Sequence, residues 1–196
     1  MNLKLTKDFD EIEYGIVKGN STILFVKAGQ DGSIYGYKNK YLNMAKKINK
    51  KYGISVICSS NPYIGLNPLN HDLKVVDEYA RNEKFNDYKI YYMGTSNGAF
   101  IGCYFGVKYQ QIKRMLLINM PLDITTINKI KNKIPKFFGE KLTFVYGTLD
   151  ESYLMIDEIK EFQNDKIQLE FYSDQDHYFS KNNFLLDELP EKYLLN

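Results

Sequence analysis

Residues 91–100 read YYMGTSNGAF. An apolar, aromatic run, "YKIYYMG" in full, ends beside a serine, Ser96, set between Gly94 and Gly98. The small-residue stretch "NGAFIGCYFGVKYQ" follows. The first run has the composition of a buried strand and the second the spacing of a helix. A strand that hands over to a helix so abruptly needs a very tight turn, which presents the serine hydroxyl at the end of the sheet. Such a turn presses its flanks against neighbouring chain, and glycine two before and two after the serine relieves the crowding. The new helix also leaves its first amides unsatisfied, so the Asn97 backbone N–H becomes an expected donor to a developing oxyanion. The competing reading is a glycine-rich turn with a capping serine.

The same strand-to-helix rhythm runs outward from this turn. "EIEYGIVKG" and "TILFVKAG" are strand-like and suggest an N-terminal antiparallel hairpin. Tyr37, Tyr41, Met44, Ala45, Ile48 and Tyr52 share a helical face that Gly53 ends. "ISVIC" is a short buried strand, and helical spacing returns at Leu73, Val76 and Ala80. Downstream, "MLLINM", "LTFVYG" and "IQLEFY" read as strands. Helices are expected near 125–136, over "ESYLMIDEIKEF" and around "FLLDELPEKYLL". Alternation with continuous apolar strands predicts an α/β fold: a mostly parallel twisted sheet of about seven strands, with helices on both faces. No composition shift or repeat divides residues 1–196, so one domain is expected.

Composition excludes several classes. The chain of 196 residues is 44% hydrophobic and 26% charged, ordinary for a globular protein. A net charge of +2 gives no reason to expect nucleic acid or a membrane surface as partner. Only Arg81 and Arg114 among its basic residues are arginines, which disfavours phosphate recognition. "MNLKLTKDFDEIEYG" carries acids where a signal peptide needs an apolar core. Cys58 and Cys103 lie in apolar contexts and read as reduced core residues, so a cytoplasmic protein is expected. No cysteine or histidine cluster has metal-ligand spacing, and no cofactor or metal is expected.

A serine hydroxyl needs a base. His177, in "YSDQDHYFS" after the last strand, is favoured over His71, which sits in "NPLNHDL" at the start of a helix. The base needs a carboxylate to fix its tautomer. Asp150, in "FVYGTLDESY" after the penultimate strand, is the first choice; Glu151, Asp174 and Asp176 stand close by. Asp150 also reads as a helix N-cap, and the two roles are compatible.

Together these residues resemble the α/β-hydrolase fold family. Its nucleophile elbow, glycine-x-serine-x-glycine, is matched by Gly94, Ser96 and Gly98. Its order of nucleophile, acid and histidine is matched by Ser96, Asp150 and His177, and the likeness spans nearly the whole chain. The resemblance implies a second oxyanion amide from the loop after an early strand, here "LFVKAGQDGSIYG". Lys27 and Ala28 stand where the family often has histidine and glycine, so the amide would come from Gly29 or Gln30. It also implies an acyl-enzyme mechanism on a small-molecule acyl substrate, with an ester or thioester expected. The shared chemistry leaves acyl transfer, peptide cleavage or an inactive scaffold open. About twenty residues separate "MLLINMPLD" from "LTFVYG", enough for one helix, so no cap domain is expected. Tyr35, Tyr63 and Ile64 are candidates to touch substrate in loops that would wall the site.

Overall fold

The computed structural model describes residues 12–62, 68–181, 186 and 188–196. Seven strands form one sheet: β1 (Tyr14–Val17), β2 (Asn20–Lys27), β3 (Ile54–Ser59), β4 (Lys89–Thr95), β5 (Ile112–Ile118), β6 (Lys141–Gly147) and β7 (Ile167–Tyr172). Their order is β1-β3-β2-β4-β5-β6-β7, and every neighbouring pair is parallel except β1 with β3. The mostly parallel seven-stranded sheet is therefore as the sequence predicts, including an antiparallel first strand. The expected hairpin is corrected: β1 pairs with β3, and β2 lies between β3 and β4. The link between β1 and β2 crosses the start of β3 instead of folding back. A Cβ on Gly19 would lie 2.3 Å from the Ile54 carbonyl carbon, so only glycine fits that crossing.

Helices α1 (Lys40–Tyr52), α2 (Pro68–Asn82), α3 (Asn97–Phe105), α4 (Ile124–Ile130), α5 (Asp157–Lys160) and α6 (Glu188–Pro190) complete the frame. α1 buries Tyr41, Met44, Ala45 and Ile48 and ends at Gly53, whose φ of 67° suits a left-handed cap. Tyr37 lies outside it, in a preceding 3-10 turn, with its ring exposed. The helix expected near 125–136 is α4 followed by a 3-10 turn at Ile134–Lys136. "ESYLMIDEIKEF" forms a 3-10 turn at Glu151–Met155 and the single turn of α5.

Alternate residues of β2 serve opposite cores. Ile23 and Phe25 pack with Val76 of α2, Ala99 of α3 and Ile127 of α4. Leu24 and Val26 pack with Met44 and Ile48 of α1 and with Leu189 and Tyr193 near the C-terminus. Both faces are covered, which is why the strands read as unbroken apolar runs. No helix among the described residues is long and apolar enough to cross a membrane.

One buried feature breaks the apolar rule. The Lys27 ammonium is fully buried and pairs with Asp72 of α2, at 2.9 Å from Oδ2. It also donates to Ser59 Oγ at 3.0 Å and to the Ser60 carbonyl at 2.9 Å. Tyr14 and Ser59 each donate to Asp72 Oδ1 at 2.8 Å. The cluster joins the ends of β2 and β3 to α2, with every charge held by a partner. Removing one partner leaves the other charge buried and uncompensated. Lys27→Met is therefore expected to lower the unfolding free energy by about 3–5 kcal/mol, and adding Asp72→Leu to restore part of it. Urea denaturation of the single and double variants measures both.

Candidate active site

The parallel strands β2 and β4 to β7 present their carboxyl ends along one rim, the usual place for a site in such a sheet. Lys27 at the end of β2 pairs with Gly94 of β4, Thr95 with Ile118 of β5, and Gly147 of β6 with Tyr172 of β7. This register sets side by side the loops that leave β2, β4, β5, β6 and β7.

Ser96 occupies the turn between β4 and α3 with φ 52° and ψ −123°, a strained region for a residue with a side chain. Its N–H donates to the Ile118 carbonyl at 2.8 Å, and its own carbonyl accepts from Ala99 and Phe100. These bonds hold the strained turn in place. The serine side chain makes no capping hydrogen bond, so the capping-serine reading does not describe it. Both flanking glycines are required by close approach. A Cβ on Gly94 would sit 2.5 Å from the Gly98 carbonyl oxygen. A Cβ on Gly98 would sit 2.4 Å from the Ala28 oxygen and 2.5 Å from that of Lys27.

The loop after β2 closes over this turn. A Cβ on Gly29 would lie 3.2 Å from Ser96 Cβ, which places that loop directly beside the hydroxyl. Asn61 fixes it there: Nδ2 donates to the Ala28 carbonyl and to Asn97 Oδ1, each at 3.0 Å. Backbone bonds from Asp31 to Asn61 and from Asn61 to Gly32 complete the tie. Gly29 and Asn97 thus both lie next to Ser96, on segments that one asparagine joins.

His177 Nδ1 is hydrogen-bonded to Asp150 Oδ2. Asp150 is almost fully buried, while the imidazole is 37% exposed. Asp150 Oδ1 accepts from the Ser152 N–H at 2.7 Å, so one carboxylate both caps a 3-10 turn and grips the ring. Burial pushes the Asp150 carboxyl up, but the hydrogen bonds from His177 and Ser152 outweigh it and hold it below the ordinary aspartate value. The Asp150 hydrogen bond raises the His177 pKa above the usual 6.5, against burial and with help from the charges of Asp150, Asp176 and Glu151. Asp176 instead braces its own loop, accepting from the Tyr178 and Ser180 amides at 3.0 and 2.9 Å.

Ser96, Gly29 and His177 line one cavity of about 300 Å³, with Tyr37, Tyr41 and Lys40 among its other walls. Tyr35 does not line it; its backbone carbonyl anchors the Tyr41 N–H at 2.9 Å. Tyr63 and Ile64 lie outside the described residues. His71 sits in the first turn of α2, away from the cavity lining. Among the described residues no group of His, Cys, Asp or Glu is placed to hold a metal ion.

Sequence reasoning missed Asn119. It follows β5, is 1% exposed and adopts φ 44°. Its Nδ2 donates to the carbonyls of Asp176 and His177 at 3.1 and 2.9 Å, and its Oδ1 accepts from the Gly147 N–H at 2.9 Å. One side chain therefore ties the histidine loop to the ends of β5 and β6. The available signal was an amide inside "LLINMP", where a buried strand ends at the rim that Ser96 occupies.

No protein-family model matches the chain, and no curated protein sequence matches it significantly. Solved structures do. Est1E from Butyrivibrio proteoclasticus superposes with a TM-score of 0.70 at 14% identity, over 97% of this chain and 96% of that one. The dienelactone hydrolase from Anabaena variabilis gives 0.69 at 13% identity, over 94% and 91%. A protein from Xanthomonas campestris, described as an α/β serine hydrolase without lid, gives 0.61 at 16% identity, over 92% and 87%. The chain has the α/β-hydrolase fold.

Asn119→Ala removes three hydrogen bonds and leaves the Gly147 amide buried without its acceptor. A loss of about 1–3 kcal/mol in unfolding free energy is expected. The loosened loop also weakens the grip of Asp150 on the ring, so the His177 pKa, read by NMR titration, should fall back toward its ordinary value. An unchanged titration would show that Asn119 does not position the imidazole.

Proposed function

We propose that the protein is a serine hydrolase that cleaves a carboxylic ester or thioester of a small acyl compound. One observation carries this reading: an imidazole bonded to a buried carboxylate lines the same cavity as an uncapped serine hydroxyl on a strained strand-to-helix turn. The solved structures are alike at 13–16% identity, which speaks for the fold; the reaction is argued from the site.

In the proposed reaction His177 Nε2 takes the Ser96 proton as Oγ bonds to the acyl carbon. The carbonyl oxygen becomes an oxyanion that accepts from the Asn97 and Gly29 amides. Asp150 holds Nδ1–H and stabilises the imidazolium. The imidazolium then protonates the departing oxygen or sulfur as its bond to carbon breaks, leaving the acyl group on Ser96. Water attacks the acyl carbon, His177 accepts its proton, and the acid leaves as Oγ is reprotonated. A cavity of about 300 Å³ is at the small end for ligand sites, which favours short acyl groups. Cys58 and Cys103 are both buried free thiols, which fits the cytoplasm as the proposed location.

A fluorophosphonate probe is expected to label the wild-type protein. Ser96→Ala should abolish labelling and lower kcat/KM on p-nitrophenyl esters by about three orders of magnitude or more. Absence of labelling in folded wild-type protein would refute the nucleophile.

The base must be neutral, so activity falls as pH drops through the His177 pKa. Because Asp150 raises that pKa, the acid limb of kcat/KM should have its midpoint above the ordinary 6.5. Asp150→Asn removes the charge and should move the midpoint down while lowering the plateau. A midpoint indifferent to Asp150→Asn would mean that another group titrates.

A further inference from the structure

Among the described residues that line the cavity beside Ser96, one is a lysine and none is an arginine. Lys40, the first residue of α1, lines the cavity together with Ser96 and His177. It is half-buried, and among the described residues its ammonium forms no ion pair, unlike Lys27, Lys51 or Lys160. Among the described residues, no aspartate or glutamate lines the cavity. The ammonium lies 5.3 Å from the centre of the Tyr41 ring. The Tyr41 hydroxyl is hydrogen-bonded to Thr95 Oγ1 at 2.8 Å, one residue before Ser96. The cation is therefore attached to a wall that is itself fixed beside the serine.

A half-buried, unpaired ammonium is held at a cost, and burial accordingly lowers the Lys40 pKa. That cost is offset when a ligand brings the missing anion into the cavity. The chemistry of the anion follows from the lining. A phosphate dianion is usually met by an arginine fork or several donors, and among the described residues the lining has no arginine and one lysine. A single ammonium suits a carboxylate.

We propose that Lys40 is a specificity residue that selects ester or thioester substrates carrying a free carboxylate near the scissile bond. This rests on the serine-hydrolase reading of the same cavity and adds the charge of the substrate to it.

Two matched probe pairs test it. Para-carboxyphenyl butyrate against para-carbamoylphenyl butyrate puts the charge on the leaving alcohol. The p-nitrophenyl half-ester of adipic acid against the p-nitrophenyl ester of adipamic acid puts it on the acyl side. In at least one pair the wild-type kcat/KM should favour the carboxylate by about tenfold or more, the scale of one charge-assisted hydrogen bond. Lys40→Met should bring that ratio to about one, Lys40→Glu should invert it, and Lys40→Arg should keep it above one. Reading a ratio within each variant cancels any general loss of activity or fold. Calorimetric titration of Ser96→Ala protein, with and without Lys40→Met, asks the same question without turnover. A Lys40-dependent preference for the carboxylate there sustains the anion subsite even if Ser96 proves not to be the nucleophile. Equal ratios in both pairs with no binding preference, or a preference that survives Lys40→Met, would overturn the proposal.

Discussion

The first turn of α3 runs so close to the end of β2 that the carbonyl oxygens of Lys27 and Ala28 occupy the space a side chain at position 98 would need. This contact constrains the rest of the rim. It fixes where Ser96 projects, because the serine lies between the end of β4 and that first turn. It fixes the loop after β2, because the same carbonyls open that loop. Ser96 and Gly29 are thereby brought close together by backbone packing, before any side-chain hydrogen bond contributes. Gly94 allows the other half of the approach, where the strand passes under the helix it feeds.

Side-chain amides then lock what the backbone brings together. Asn61 links the β2 loop to Asn97, and Asn119 links the histidine loop to the neighbouring strand ends. Asparagine suits both places because it donates and accepts from one short group, so it satisfies loop carbonyls and amides that have no strand partner. The rim also concentrates backbone strain. Asp31, Ser96, Asn119, Asp174 and Phe179 all have positive φ and all lie in loops at the carboxyl ends of strands. Conformations of this kind cost about 1–3 kcal/mol each and persist only where surrounding bonds over-determine them. The two covered cores beneath the rim make that possible.

The sheet was legible because strands buried on both faces leave an unbroken apolar signature, and the elbow because glycine at two fixed offsets records close approach. Ser96, Asp150 and His177 were singled out by their places after strands, and the structure brings them to one rim. Three things were not legible. The partner of β1 was misjudged because apolar pattern reports burial and says nothing about which strand lies alongside; the β1–β2 link is short enough for a hairpin yet crosses β3. Asn119 escaped because its role depends on three backbone groups distant in sequence. The loop before α1 does wall the cavity, but through Ser33, Gly36 and Tyr37 rather than Tyr35, since the chain makes a 3-10 turn there that shifts the helix start to Lys40.

Asp150 divides its two oxygens between unrelated tasks, one starting a turn of chain and the other steadying a ring. A carboxylate so engaged has little freedom to swing, since rotating away from the imidazole would also strand the Ser152 amide. The aim of His177 is thus wired to the local folding of the segment after β6. Lengthening the acid by one methylene would break that correspondence even though the charge is kept. At this position geometry, more than acidity, limits which amino acids the molecule can accept.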